Sequence, residues 1–167
     1  MKELILIRHA KSDWAGEGIK DIDRPLSERG CKDAYMLSSW FSENEPLPEL
    51  IVSSPATRAL STALIYARAF GFDENEIVLD AQLYESTVTE YKNAISQLNN
   101  NYNSAMLFGH NPVITNLINS MNDEIEFENI PTCGMVKIRF KQDNWKGVAG
   151  DAAGKIVLQK FPKNFKQ

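Results

Sequence analysis

The chain has 167 residues, of which 43% are hydrophobic and 24% are charged, and 18 basic against 22 acidic residues give a formal net charge of −4. These values are ordinary for a soluble globular protein, and the length predicts a single domain over residues 1–167 with a substantial core. The acidic balance argues against a general nucleic-acid-binding protein, and no apolar run approaches the length of a membrane span.

Histidines and cysteines are too few for most metal sites and disulfide frameworks. The two cysteines, Cys31 and Cys133, have a separation that fits neither a zinc motif nor a disulfide framework. The two histidines, His9 and His110, cannot build a histidine-rich metal site, so that only carboxylates remain to hold an ion such as magnesium. The first residues enter an apolar segment without a targeting signal, and we therefore expect a cytoplasmic protein.

The first predicted strand ends in two chemically reactive side chains. Leu4–Ile7 is a short apolar run bounded by polar residues, which is typical of a strand buried on both faces. Arg8 and His9 follow it directly. Ligands of open α/β sheets bind at the carboxyl ends of the strands, so this pair either binds a ligand or simply solvates the end of the strand.

A loop and an amphipathic helix come next. Residues 13–26 contain glycine, proline and acidic residues and are predicted to form a loop, which Trp14 is expected to pack down onto the protein. Ser27 is a candidate N-cap, and apolar residues at helical spacing predict a helix over Ser27–Phe41. Gly30 lies near the start of that helix, where it would permit the close approach of another backbone segment.

The second predicted strand, Leu50–Ser53, leads into a helix with an arginine in its first turn. Ser54 suits the N-cap and Pro55 the first helical position, and the helix is predicted to run to about Phe70. Arg58 then lies beside the free backbone N–H groups of the helix start, where an arginine adds a fork for phosphate oxygens. The alternative is an ordinary surface arginine.

A later junction repeats this arrangement around the second histidine. The elements predicted after the second helix are a strand at Ile77–Leu79, a helix at Thr89–Leu98, a strand at Ser104–Phe108 and a helix to about Met121. His110 follows the end of the last of these strands. Asn111 and Pro112 are the candidate N-cap and first residue of the helix after it. His110 therefore occupies the same kind of position as His9.

The carboxyl-terminal part of the chain changes character. Met135–Phe140 alternates apolar and basic residues and is predicted to be a half-exposed strand, with Ile156–Lys160 as its partner and a loop without a helix between them. The predicted fold is therefore α/β. It is a three-layer sandwich in which helices flank a mostly parallel sheet, with an antiparallel hairpin at the carboxyl-terminal edge.

Cys133 and Arg139 have the spacing of cysteine-dependent phosphatases, but their setting is wrong for that chemistry. Such a phosphatase needs a glycine-rich loop that opens a helix, so that backbone N–H groups cradle the phosphate. The intervening residues here predict a strand, in which the two side chains would lie too far apart to share one phosphate.

Four side chains lie at the ends of predicted strands or just inside the following helices, namely Arg8, His9, Arg58 and His110. Three separate junctions would bring them to one edge of the sheet, and both histidines of the chain are among them. We therefore expect the four side chains to form one site. The alternative is a structural α/β domain with chance polar residues at its strand ends.

Four segments resemble motifs of the histidine phosphatase superfamily, also called phosphoglycerate-mutase-like. The segments are Arg8-His9-Ala10, Arg24-Pro25-Leu26-Ser27-Glu28-Arg29-Gly30, Ser53-Ser54-Pro55-Ala56-Thr57-Arg58 and Gly109-His110-Asn111-Pro112. They follow the family order over residues 3–140. Ala10 stands where the family usually has glycine. With this alanine and its short length, the chain resembles the SixA-like branch of the family, whose type member acts on protein phosphohistidine.

The resemblance implies a role for each motif residue. His9 would be the nucleophile and would carry a phosphohistidine intermediate. Arg8, Arg58 and His110 would hold the phosphoryl oxygens. The physics agrees, because a histidine nucleophile must be neutral and neighbouring arginines disfavour its protonation. Positioning and charge stabilisation dominate phosphoryl transfer, and two arginines could supply the charge that a metal supplies elsewhere.

Three further residues receive roles from the same resemblance. Glu85, within Leu83-Tyr84-Glu85, matches the position of the family's general acid. Ser12 and Asn111 are additional candidate donors to the phosphate. No metal and no cofactor is expected.

The function predicted in this way is a metal-independent phosphatase that acts on phosphohistidine in a phosphotransfer or signalling protein. The partner is thus a phosphorylated protein or a small phosphorylated molecule, and the oligomeric state stays open. One alternative is a small-molecule phosphomonoesterase. A mutase is less favoured, since family mutases carry longer insertions over the site than this chain can hold. The other alternative is a non-catalytic module that binds phosphoproteins, which the presence of His9 disfavours.

Overall fold

A computed structural model describes residues 1–14 and 16–165, and these residues form one six-stranded sheet and five α-helices. The strands are β1 Lys2–Arg8, β2 Leu50–Ser53, β3 Val78–Leu79, β4 Ser104–Gly109, β5 Met135–Phe140 and β6 Lys155–Lys160. The helices are α1 Glu28–Asn44, α2 Thr57–Phe70, α3 Val88–Ser96, α4 Val113–Ser120 and α5 Trp145–Ala149. Short 3₁₀ turns connect several of them, including one at Asp21–Asp23.

The sheet has the order β3-β2-β4-β1-β5-β6, which places the first strand of the chain at its centre. β1, β2, β3 and β4 run parallel to one another, and β5 and β6 run antiparallel to their neighbours. Arg8 is opposite Gly109, and Ser53 is opposite Phe108. The carboxyl ends of β1, β2 and β4 therefore lie side by side at one edge of the sheet.

Alternate residues of β1 point to opposite faces, and each face carries its own apolar core. Leu4 and Leu6 belong to the cluster that also contains the buried residues of α3, α4 and α5. Ile5 and Ile7 belong to the cluster with the buried residues of α1 and α2. The three-layer α/β sandwich with an antiparallel edge hairpin is thus confirmed.

The start of α1 confirms two predictions from the sequence. Ser27 is the N-cap, and its hydroxyl oxygen accepts a hydrogen bond from the Gly30 N–H at 3.0 Å. A Cβ atom on Gly30 would lie 2.1 Å from the carbonyl oxygen of Lys11. Glycine at this position therefore allows α1 to pack directly against the loop that follows His9.

Two helices begin later than predicted. The N-cap of α2 is Ala56 rather than Ser54, and the N-cap of α4 is Pro112 rather than Asn111. The side-chain oxygen of Asn111 still accepts from the Thr115 N–H inside α4, at 3.2 Å, whereas Ser54 uses its hydroxyl within the turn before α2. The Ser54 hydroxyl accepts from the Ala56 N–H at 3.2 Å, so the serine shapes the turn between strand and helix.

The carboxyl-terminal hairpin differs from its prediction in two respects. The loop between its strands contains α5, and Trp145 of that helix is completely buried. Lys137, predicted to lie on an exposed face of β5, is only 3% exposed and pairs through Nζ with the carboxylates of Glu45 at 3.1 Å and Glu3 at 3.6 Å. β5 is an interior strand, and its lysine is buried as part of an ion-pair network.

Trp14 does not pack its loop against the core. Its side chain is 77% exposed, and the guanidinium carbon of Arg24 lies 3.5 Å from the centre of its ring. Cation–π contact with a neighbouring arginine therefore replaces the burial that was expected.

The setting of Cys133 and Arg139 excludes a shared phosphate site, as predicted. Cys133 is buried, and burial raises the pKa of its thiol. Arg139 lies on β5, where its Nη2 binds the Glu3 carboxylate at 2.8 Å. Over the described ranges, no helix has the length and apolar character to cross a membrane.

Candidate active site

The ends of three parallel strands bring the predicted residues together. Arg8 ends β1, His9 follows it, and the His9 N–H donates to the carbonyl oxygen of Gly109 at the end of β4 at 3.0 Å. His110 follows β4 directly, and Arg58 lies in the first turn of α2. The ring centroids of His9 and His110 are 5.2 Å apart. The sequence prediction that these residues meet at one edge of the sheet is correct.

His9 has one ring nitrogen committed and one available. Its Nδ1 lies 2.7 Å from the carbonyl oxygen of Ala10, which can only accept, so Nδ1 carries the proton. Nε2 is then left with a free lone pair. The residue is 7% exposed, and burial lowers the pKa of His9 to about 3, with further lowering by His110 and the nearby arginines. Near neutral pH the ring is a neutral base and nucleophile.

His110 is held by a serine behind it. Its Nε2 lies 2.8 Å from the hydroxyl oxygen of Ser54, a completely buried residue. A hydroxyl oxygen has two lone pairs, so its bond from the Ala56 N–H does not by itself set the direction of this contact. The Ser54 hydroxyl hydrogen has no other acceptor among the described residues, and we therefore assign it to Nε2. The proton of His110 is then on Nδ1, a buried atom without a hydrogen-bond partner in the described part of the chain. Burial, followed by the charge of Arg58, lowers the pKa of His110 to about 4.

A buried tyrosine holds the backbone of His110. The Tyr91 hydroxyl accepts from the His110 N–H at 3.1 Å and donates to the carbonyl oxygen of Leu83 at 2.7 Å. A Cβ atom on Gly109 would lie 2.4 Å from the same hydroxyl oxygen. Glycine before the second histidine is therefore required by the close approach of Tyr91.

The two predicted phosphate-binding arginines are fixed in different ways. Arg8 donates from Nη1 to the Ile130 carbonyl oxygen at 3.0 Å, and its buried Nε has no partner among the described residues. Arg58 is 7% exposed, and within residues 1–14 and 16–165 its guanidinium donates to Asp21 alone. Nη1 donates to the Asp21 carbonyl oxygen at 2.8 Å and Nη2 to the Asp21 carboxylate at 3.1 Å. Both guanidinium groups thus have donors that are not used by the fold.

Asp21 also bridges to two other side chains. Its carboxylate accepts from Arg24 Nη1 at 3.1 Å and from the Tyr84 hydroxyl at 2.7 Å. The hydrogen bond from Tyr84, and then the two arginines, lower the pKa of Asp21, and the same hydrogen bond raises the pKa of Tyr84 to about 12. The ring of Tyr84 meets that of His110 edge-on, with centroids 5.6 Å apart.

The three less central candidates have different surroundings. The hydroxyl of Ser12 accepts a hydrogen bond from the Arg24 guanidinium. Glu85 is exposed and has left-handed backbone geometry, with φ of 49°, directly after Tyr84. The amide nitrogen of Asn111 donates to Asn129 Oδ1 at 2.8 Å and to the Ile130 carbonyl oxygen at 2.9 Å, while its oxygen accepts from Thr115. Both amide hydrogens are used, so we do not retain Asn111 as a phosphate donor.

Sequence reasoning missed the residues that support the site. They are Asp21, Ser54 in its contact with His110, Tyr84 and Tyr91. Ser54 and Tyr84 belong to segments that were singled out, but Ser54 was interpreted as a helix cap and Tyr84 was given no role. The described residues contain no group of three or more histidines, cysteines and carboxylates that could hold a metal ion.

Comparison with known proteins agrees with this geometry. Residues 4–107 match the model of the histidine phosphatase superfamily (branch 1). A crystal structure from Agrobacterium tumefaciens, provisionally named phosphohistidine phosphatase SixA, has 28% identity and a TM-score of 0.81, and the match covers 96% of this chain and 98% of that one.

Two curated relatives are similar over part of their length. An uncharacterised chloroplastic protein of Arabidopsis thaliana is 35% identical over 118 residues, which are 66% of this chain and 54% of that protein. Phosphoserine phosphatase 1 of Hydrogenobacter thermophilus is 42% identical over 71 residues, which are 41% of this chain and 33% of that protein. The matching region thus spans about half, or less, of these relatives. The structural likeness fits the SixA-like branch, and the chain belongs to the histidine phosphatase superfamily.

Proposed function

We propose that the protein is a metal-independent phosphatase that works through a phosphohistidine intermediate on His9. The observation that carries this proposal is the tautomer of His9. Its Nδ1–H is bound by a backbone carbonyl oxygen at 2.7 Å, so that Nε2 presents a lone pair beside two arginines and a second histidine. This arrangement suits nucleophilic attack on phosphorus.

The reaction has two steps. In the first step, the Nε2 lone pair of His9 forms a bond to phosphorus, and the bond between phosphorus and the leaving group breaks with its electron pair on the leaving group. In the second step, water attacks the phosphorus and the P–N bond breaks, which restores neutral His9 and releases inorganic phosphate. The proton of the water goes to solvent or to a nearby base.

Positive charge and N–H donors stabilise the negative charge of the phosphoryl group in both steps of the reaction. Arg8 and Arg58 supply two guanidinium charges, and the unpaired Nδ1–H of His110 supplies a neutral donor. Catalysis of phosphoryl transfer depends mainly on such positioning and charge stabilisation. The proposed mechanism therefore needs no metal ion.

The proposed substrate is phosphohistidine in a phosphotransfer or signalling protein. Two observations support this substrate: the likeness to a structure named for phosphohistidine phosphatase, and the exposed position of Glu85. An imidazole leaving group can depart neutral after protonation from solvent, so it depends little on a buried acid. The second candidate, a small-molecule phosphomonoesterase, is favoured by the relative named for phosphoserine.

A rapid-quench experiment with labelled substrate tests the intermediate. The wild-type protein is expected to acquire acid-labile label, and His9→Ala is expected to acquire none. Cys133→Ser is the control, because this buried thiol should play no part in the reaction and the label should remain. Label that survives in His9→Ala, or that is lost in Cys133→Ser, would contradict the mechanism.

A substrate panel then separates the two candidate functions. We would compare a phosphohistidine protein, phosphoramidate and a set of phosphomonoesters, before and after dialysis against a strong chelator. The highest kcat/KM is expected for the phosphohistidine protein, with no loss on chelation. Preference for a phosphomonoester would establish the second candidate, and recovery of lost activity by magnesium would refute the proposed charge balance.

A further inference from the structure

Among the described residues, the guanidinium of Arg58 donates its hydrogen bonds to Asp21 alone, although the proposed function assigns this arginine to the phosphoryl group. Both terminal nitrogens of Arg58 donate to Asp21, one to the backbone carbonyl oxygen and one to the carboxylate. A carboxylate is chemically similar to the edge of a phosphoryl group, since both offer two oxygens to a guanidinium fork. Asp21 thus holds the arginine in the manner expected of a substrate.

The two partners differ in how readily they can separate. The side chain of Arg58 is 9% exposed, whereas that of Asp21 is 43% exposed. A buried guanidinium without an acceptor is costly, but an exposed carboxylate can return to water with little loss. The arginine therefore needs an anion beside it at all times, and Asp21 is the partner that can leave.

A single movement would release the whole fork. Because the carbonyl oxygen and the carboxylate that bind Arg58 both belong to Asp21, displacement of this one residue frees both terminal nitrogens. The carboxylate could keep its contact with Arg24 Nη1, at 3.1 Å. The Asp21 carbonyl oxygen also accepts from the Arg24 N–H at 3.2 Å, so its displacement would open the 3₁₀ turn Asp21–Asp23. A phosphoryl group could then take the place of Asp21 on Arg58.

We infer that Asp21 is a built-in competitor for the phosphoryl group, and that it lowers the affinity of the site for anions that bind Arg58. This inference rests on the proposed function, because it takes Arg58 to be a phosphate ligand. A monoanion that displaces the Asp21 carboxylate exchanges one single charge for another and gains little. A phosphoryl dianion gains a second charge interaction with Arg8 and Arg58. Asp21 thereby disfavours simple carboxylates and weakens the retention of inorganic phosphate.

Binding of inorganic phosphate, measured by calorimetry, tests the inference without any need for turnover. Asp21→Asn is expected to bind phosphate about three- to tenfold more tightly than the wild-type protein. The gain in affinity for acetate is expected to be no larger than the gain for phosphate, because both anions displace the same Asp21 contacts and the removed charge repels a dianion more strongly. Asp23→Asn is the matched control, since it removes the same charge from the same exposed 3₁₀ turn, and it should change both affinities by less than about twofold.

Repeating the measurement in an Arg58→Ala variant separates direct competition for Arg58 from a general effect of the removed charge. In Arg58→Ala, the additional Asp21→Asn substitution should no longer strengthen phosphate binding. Tyr84→Phe removes a hydrogen bond from the Asp21 carboxylate and is expected to give an affinity between those of the wild type and Asp21→Asn. This milder variant keeps the test valid if Asp21→Asn does not fold.

The outcomes for the inference and for the proposed function are distinct. Phosphate affinity that is unchanged or lower in Asp21→Asn would overturn the inference and make Asp21 a residue that only positions Arg58. Absence of phosphate binding to both proteins would overturn it as well. Tighter binding by the variant, in a protein that never acquires label on His9, would sustain the inference while refuting the proposed function.

Discussion

The rings of His9 and His110 lie with their centroids 5.2 Å apart and their planes tilted by 52°. Burial lowers the pKa of His9 to about 3 and that of His110 to about 4, and the arginines near them act in the same direction. Two neutral imidazoles can share this small site with a phosphate dianion, one as nucleophile and one as donor. The chain has no other histidine, so this pair alone can give the protein a histidine titration.

The first prediction concerns stability as a function of pH. Because both histidines titrate below the usual value of 6.5 in the folded protein, the unfolded chain takes up their protons first as the pH falls. The contribution of the two histidines to stability is therefore fully present above about pH 6.5, and it is lost as the pH falls towards their pKa values in the folded protein. We expect the free energy of unfolding to fall by roughly 3 kcal/mol between pH 7 and pH 5.

Urea unfolding at the two pH values checks this prediction. The control is a protein without histidine, His9→Asn combined with His110→Asn, in which most of the difference between the two pH values should disappear. An equal loss of stability in both proteins would show that other groups are responsible.

The second prediction concerns the serine behind His110. Ser54→Ala removes the group that directs the His110 proton to Nδ1, and formation of the His9 intermediate should slow by about tenfold to a hundredfold. Ser53→Ala is a matched control, since Ser53 is also completely buried but its hydroxyl donates to a backbone carbonyl oxygen at 2.8 Å. Single-turnover kinetics should show the defect in Ser54→Ala alone, and a similar defect in both would indicate a general packing effect.

The third prediction separates substrate classes through Glu85. An alkoxide leaving group needs a proton in the transition state, and general acid catalysis is typically worth about a hundred- to ten-thousand-fold. Glu85→Gln should therefore slow phosphorylation of His9 by alkyl phosphomonoesters much more than phosphorylation by phosphohistidine. The first step must be measured by itself in single-turnover experiments, because Glu85 could also activate water in the second. Equal slowing with both substrates would remove Glu85 as the acid for the leaving group.

The fourth prediction concerns the buried lysine of β5. Lys137 lies between Glu45 and Glu3, and removal of both carboxylates would leave its charge buried without a partner. Glu3→Gln combined with Glu45→Gln should lower the free energy of unfolding by about 3–5 kcal/mol, whereas Lys137→Met should be close to neutral. Chemical denaturation of both variants checks this, and a larger loss in Lys137→Met would refute the argument.

Local patterns predicted the features that depend on short stretches of chain. The apolar run Leu4–Ile7 and the residues after it placed His9 at the end of a buried strand, and Ser27 marked the start of α1. The carboxyl ends of parallel strands lie at the same edge of a sheet. The order of strands and helices along the chain therefore also predicted that Arg58 and His110 lie in one site.

Features that depend on distant partners could not be predicted in the same way. Arg58 and Asp21 are 37 positions apart, and Tyr91 and His110 are 19 positions apart, so nothing in either local stretch indicates the contact. The alternation of apolar and basic residues predicted that Lys137 of β5 is exposed to solvent. That pattern cannot show that the carboxylate of Glu45, 92 positions away, pairs with the lysine in the fold. The early helix start assigned to Ser54 failed because a serine can shape a turn as readily as it caps a helix.

The central position of β1 has a consequence for how the protein is made. β1 is synthesised first, but its neighbours in the sheet, β4 and β5, come from residues 104–109 and 135–140. The backbone N–H of Cys133 donates to the carbonyl oxygens of Arg8 and His9 at 3.0 Å, so the backbone of the proposed nucleophile is also held by a residue made late in translation. During translation, the apolar run of β1 therefore stays unpaired until residues 104–140 have been made, and ribosome-bound fragments ending before β4 should bind chaperones through Leu4–Ile7.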